Sequence, residues 1–126
     1  MSMRTPLGRV RGLGSARSGT DHFWKQRLTA VANVPLTIAF ILILLSLLGA
    51  DHAATVATLG SPLVAIALLL FVLSGVIHMR IGMQVIIEDY LHTEGVKLAA
   101  LIANTFFAVL IGAAAAFAIL KMSFGA

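Results

Sequence analysis

Three stretches of this chain contain no Asp, Glu, Lys or Arg: Leu28–Ala50 (23 residues), His52–Met79 (28) and Leu98–Leu120 (23). A helix that crosses the hydrocarbon core of a membrane needs about 20 mostly apolar residues, so each stretch is long enough to cross once. The rest of the composition agrees. Charged residues make up 11% of the 126 positions and mean hydropathy is +1.01, against roughly 25% charged in soluble domains. The chain is therefore expected to be an all-α membrane protein with three transmembrane helices.

None of the apolar runs has the form of a signal peptide. The first begins after a long basic segment, and Leu48-Gly49-Ala50-Asp51 is a poor cleavage site. Cysteine is absent, which excludes disulfides, zinc–thiolate sites and Cys-ligated iron–sulfur clusters within this chain. The net charge of +4 does not imply nucleic-acid binding, because the basic residues are not spread over a domain surface.

Those basic residues orient the chain. Arg4, Arg9, Arg11, Arg17, Lys25 and Arg27 precede the first span, Arg80 and Lys97 flank the connection between the second and third, and Lys121 alone lies at the far end. The positive-inside rule puts the N-terminus and the Glu88–Lys97 connection in the cytoplasm and the C-terminus outside. Residues 1–20, rich in Gly, Arg and Ser, are expected to be an irregular basic arm lying on lipid headgroups or a partner protein, or simply a positive-inside tail. Residues 21–126 form the membrane domain, with helices at about 23–49, 62–89 and 96–121.

Local signals refine these bounds. Thr20 or Asp21 can cap the first helix, Phe23 and Trp24 suit the headgroup level, and Pro35 is expected to bend the span. Asn33 can hydrogen-bond to a neighbouring helix. Pro62 fits the first turn of the second helix, while Gly95 is read as a break before the third. Ala108, Gly112 and Ala116, at four-residue spacing, form the small-residue stripe that lets helices approach closely.

The second span ends in HMRIGMQVIIEDY, residues 78–90. A titratable group at membrane depth is costly unless paired or facing a polar cavity, so it points to function. His78 and Asp89 differ by only about 20° around a helix and lie roughly 16 Å apart along it. Ser74 and Gly82 share their face, and small residues there leave room for a flat ligand. Arg80, about 200° from His78, points away, toward headgroups or a partner subunit. His78 can serve as a haem-iron ligand or as a hydrogen-bonded packing residue. No second His lies at its depth, so a bis-His haem would need a ligand from another chain. Tyr90 can donate to a quinone carbonyl with Asp89 relaying protons, or the two can be an ordinary interfacial Tyr and a helix-end acid. Arg27 and His22 can meet haem propionates, or Arg27 can be a plain anchor.

The run His78-x3-Gly82-x6-Asp89-Tyr90 in the second of three helices resembles the hydrophobic membrane-anchor subunits of succinate dehydrogenase, the smaller of the two anchor chains. Asp21-His22-Phe23 followed by Arg27-Leu-Thr-Ala resembles the segment before that family's first helix. The resemblance implies a three-helix anchor, part of a multi-helix bundle with a second anchor subunit. It implies that His78 is an axial ligand of haem b and that the other ligand comes from the larger cytochrome b anchor subunit. Tyr90 would bind the quinone headgroup with Asp89 beside it, and Arg27 and His22 would sit near the haem propionates. The remaining partners would be an iron–sulfur subunit and a flavoprotein subunit, which carry the succinate chemistry, with ubiquinone or menaquinone as acceptor and lipid around the helices.

The bacterial cytoplasmic membrane is the expected location, ahead of the mitochondrial inner membrane, because the short basic start shows no clear transit peptide. Other readings are a haem-free anchor of fumarate reductase type, a small proton-coupled transporter, a structural or assembly protein, and a cytochrome b of another oxidoreductase.

Overall fold

A computed structural model describes residues 3, 5–12 and 19–125. In chain order the helices are α1 (Pro6–Arg11), α2 (Gly19–Ser46), α3 (His52–Gly60), α4 (Pro62–Tyr90) and α5 (Glu94–Ser123). There are no strands among the described residues. α2, α4 and α5, of 28, 29 and 30 residues, are each about 42–45 Å long at 1.5 Å per residue. They exceed a hydrocarbon core of about 30 Å. The chain is a multi-pass helical membrane protein.

Two differences from the sequence expectation concern short helices. The N-terminal arm is not wholly irregular: Pro6 opens the six-residue α1, where its missing N–H costs nothing, and the Thr5 hydroxyl accepts from Gly8 N at 3.0 Å. Arg4 and Arg17 of that arm lie outside the described residues. The link between the first two spans is α3, capped by Asp51, whose carboxylate accepts from Ala54 N at 2.8 Å. α2 closes before it by tight turns and by Gly49 at φ 78°, a left-handed conformation that a residue with a Cβ adopts only with strain.

The bounds of the spans also shift. α2 starts at Gly19 and continues through Pro35 without a break. Gly95 is not a helix breaker but part of the first turn of α5, after Thr93 at the N-cap. There the Thr93 carbonyl accepts from Lys97 N at 2.9 Å.

The three spans lie in a row. α4 is central and packs against α2 on one side and α5 on the other, while α2 and α5 make no contact among the described residues. Toward the α3 end, Ala65 and Leu68 of α4 meet Ile119 of α5, with Phe40 and Ile43 of α2 and Leu59 of α3 packed around them. Phe40 and Phe71 stack there at 4.7 Å. The small-residue stripe of α5 does face α4. Ala108 is buried, and a Cβ on Gly112 would come 3.5 Å from Val76.

Candidate functional site

Membrane helices place polar groups toward their neighbours, since lipid offers no partners. α2 follows this rule with Gln26, Thr29 and Asn33, all partly buried. They form a polar line at helical spacing along the face turned to α4. α4 answers with Ser74, His78 and Gln84. The two helices run antiparallel, so stepping from Thr29 back to His22 moves the contact on α4 from His78 forward to Gln84.

His78 is half-buried in this seam. Its Nδ1 lies 3.1 Å from Thr29 Oγ1. The Thr29 hydroxyl in turn donates to its own helix, to the Lys25 carbonyl at 2.7 Å, with the Gln26 carbonyl at 3.2 Å. One turn earlier on α4, the buried Ser74 hydroxyl donates to the Thr29 carbonyl at 3.3 Å. Thr29 is thus held from both sides. No hydrogen bond among the described residues engages His78 Nε2.

Six residues further along α4, Gln84 connects two elements. His22 Nε2 donates to Gln84 Oε1 at 3.2 Å, and Gln84 Nε2 donates to Glu88 Oε1 at 2.8 Å. Two acceptors in the seam are buried without a partner, Gln26 Oε1 and Asn33 Oδ1. For Asn33, the expected interhelical bond is absent at that oxygen.

Other expected site residues lie apart from the seam. Arg27 is exposed, its guanidinium 5.2 Å over the Phe23 ring of its own helix. Asp89 and Tyr90 are exposed at the end of α4, Tyr90 at 76%. They sit roughly 16 and 18 Å along the axis from His78. Arg80 points away from His78, along the α5 side, and is exposed. Its Nε donates to Thr105 Oγ1 at 3.4 Å, and its carbonyl accepts from Asn104 Nδ2 at 2.9 Å. The Arg80 side chain remains exposed beside α5.

The open space beside His78 is also corrected. A Cβ on Gly82 would lie 3.6 Å from Gln26 Nε2, and Ser74 is buried, so α2 covers the face on which a flat ligand was expected. Space lies instead on the flanks. One apolar groove of about 330 Å³ runs between α2 and α4 past Thr29, Ser74 and Ile77. Another of about 350 Å³ runs between α4 and α5 past Met79, Met83 and Asn104.

Sequence reasoning missed Thr29, Gln26 and Gln84. The signal was present: Gln26, Thr29 and Asn33 are polar residues on one stripe at the start of an apolar span.

The chemistry of the donor set allows a single protein ligand to a haem iron. One ring nitrogen of His78 is in use and the other has no described partner. The described residues hold no group of three His, Asp or Glu that would bind a bare metal ion. All five acidic residues lie at helix ends or connections, unlike the mid-membrane carboxylate of proton-coupled transporters.

These helices and this seam define a class: small three-span membrane subunits with a titratable group at membrane depth and apolar flanks. Residues 1–112 match the family described as succinate dehydrogenase/fumarate reductase transmembrane subunit. The chain is 35% identical to the succinate dehydrogenase hydrophobic membrane anchor subunit of Paracoccus denitrificans, over 97% of this chain and 94% of that one. It is 31% identical to the protein of the same name from Rickettsia bellii, over 85% of this chain and 86% of that one. The chain belongs to the succinate dehydrogenase/fumarate reductase transmembrane subunit family. No solved structure matches it at a significant level.

Proposed function

We propose that this chain is the hydrophobic membrane anchor of a succinate dehydrogenase, that it holds one side of a haem b through His78, and that its Tyr90 end forms part of a quinone-reduction site. The observation that carries this reading is the single α4 helix bearing a half-buried His78 in the α2–α4 seam and an exposed Asp89-Tyr90 pair at its end. Family membership and the relatives' names support the anchor role.

His78 would ligate the iron through Nε2, with the second ligand from the larger cytochrome b anchor subunit. Haem b, when bound, supplies one-electron exchange at the junction of the two anchors. Arg27 and His22 precede this depth on α2 and would pair with the propionates, Arg27 by exchanging its contact with Phe23 for a charge-assisted bond. Tyr90 would donate its phenolic hydrogen to a quinone carbonyl, and the neighbouring Asp89 would carry protons from water. Succinate oxidation and the cluster chain belong to the flavoprotein and iron–sulfur subunits. The Tyr90 end would face the cytoplasm of a bacterium, as the Arg and Lys distribution indicates, and ubiquinone or menaquinone would be the acceptor.

The test is a reduced-minus-oxidised spectrum of the solubilised complex, with wild type, His78→Ala and Tyr90→Phe compared. We expect His78→Ala to lose or distort a b-type haem signal. We expect Tyr90→Phe to keep that signal while quinone reduction falls by roughly 10- to 100-fold, the rate equivalent of a hydrogen bond of about 1–3 kcal/mol. Succinate oxidation by an artificial dye should be unchanged in Tyr90→Phe. An unaltered haem signal in His78→Ala overturns the ligand role. Absence of haem from wild type leaves the haem-free anchor.

A further inference from the structure

We infer that Thr29 is a positioning residue for His78: its hydroxyl oxygen accepts the Nδ1 hydrogen, fixes the ring in the tautomer whose Nε2 carries the free lone pair, and raises the donor strength of that nitrogen. The inference deepens the proposed function and rests on its haem-ligand reading of His78.

The direction of the Thr29–His78 bond follows from hydrogen counting. A hydroxyl has one hydrogen to donate. Thr29 Oγ1 lies 2.7 Å from the Lys25 carbonyl and 3.2 Å from the Gln26 carbonyl, and both are acceptors only. Its hydrogen is therefore committed to its own helix. What remains at 3.1 Å from His78 Nδ1 is an oxygen lone pair, so the ring must supply the hydrogen. A neutral imidazole with hydrogen on Nδ1 has its lone pair on Nε2, the form a metal requires. Hydrogen bonding by the second ring nitrogen also sets ring orientation and ligand basicity in metal-bound histidines.

The position of Thr29 is not free to drift. Ser74 donates to the Thr29 carbonyl at 3.3 Å from one turn earlier on α4. The acceptor for His78 is thereby tied to the helix that bears His78. A side chain that only filled the seam would need the volume of Thr but not its oxygen. Valine supplies that volume, which makes the oxygen testable by itself.

The experiment uses the intact complex with Thr29→Val and Thr29→Ser, reading the haem midpoint potential and the g-values of the oxidised haem. A weaker donor favours the oxidised iron less, so Thr29→Val should raise the potential. The expected rise is some tens of mV, a tenfold change in a one-electron equilibrium being about 59 mV. Thr29→Ser should restore both readings to wild type. Wild-type potential and g-values in Thr29→Val overturn the inference. If Thr29→Val does not assemble, electron–nuclear double resonance on the unmodified complex decides: slow exchange of the remote ring hydrogen in D2O supports a held bond, and immediate exchange overturns it. Failure of the haem-ligand reading shows separately, as a haem signal that survives His78→Ala.

Discussion

Gly60 and Gly112 look alike in the sequence, each a glycine near the middle or end of an apolar helix, yet their surroundings differ. A Cβ at Gly60 would sit 2.6 Å from the Met122 carbonyl oxygen and 3.1 Å from its carbon. These are backbone atoms and cannot rotate aside. At Gly112 the nearest atoms are Val76 methyls at 3.5 and 3.7 Å, an ordinary contact. Gly60→Ala should therefore destabilise the α3–α5 junction by about 1–3 kcal/mol, the usual cost of overpacking. Gly112→Ala should be neutral or stabilising by up to about 1 kcal/mol, since Ala favours helix. Thermal unfolding in detergent would check both, and the reverse order of effects would refute the packing described. The sequence made Gly112 visible through its four-residue stripe and left Gly60 hidden, because the backbone it approaches lies far along the chain. The same limit hid Thr29: its polarity was legible, but the partner that gives it meaning is 49 positions away.

Elements were legible where a physical constraint spans many residues. The three long helices follow from membrane thickness and the absence of charge, and the opening of α4 at Pro62 follows from its ring. α3 was not legible as a helix. Its residues continue the uncharged run, and only the Asp51 cap distinguishes a helix from a connecting strap. Gly95 misled because glycine is a poor helix former, whereas Thr93 and Glu94 are favourable in a helix's first turn. How firmly elements hold one another is a separate matter. α5 is tied to α4 by Asn104, which donates to the Arg80 carbonyl at 2.9 Å, and by Thr105, which accepts from Arg80 Nε at 3.4 Å. Interhelical bonds in membranes average about 0.6 kcal/mol and reach about 1.7. Asn104→Leu should weaken the α4–α5 pair by about 1 kcal/mol and Thr105→Val by about half that or less. Unfolding of the two variants in mixed micelles would separate them. Equal losses would mean that the shorter bond has no special weight.

At the scale of the molecule, three spans put the two ends of this chain on opposite sides of the membrane, and the proposed orientation with the α4–α5 connection in the cytoplasm can be tested. The chain has no cysteine, so a single introduced thiol reports alone. His92→Cys, in the exposed α4–α5 connection, should react with an impermeant reagent only from the cytoplasmic face. His52→Cys, exposed at the start of α3, should react only from the opposite face. Labelling of both from one side would break the three-span topology. The outward faces of α2, α4 and α5 display many exposed large apolar side chains, from Leu28 and Val31 to Phe106 and Phe117. In water such a surface would aggregate; in a membrane it is what lipid and neighbouring helices require.

The row arrangement of the spans also has a consequence in time. The chain is made from its N-terminus, and every described side-chain bond that reaches His78 or Gln84 from another helix comes from α2. The bonds of that seam take nothing from α5, which meets α4 along its length and α3 at the far end, where Gly60 approaches Met122. The seam can therefore close while the final span is still inside the ribosome. Order of synthesis can then match order of construction, since the described bonds that seat the histidine are complete before the last crossing is needed.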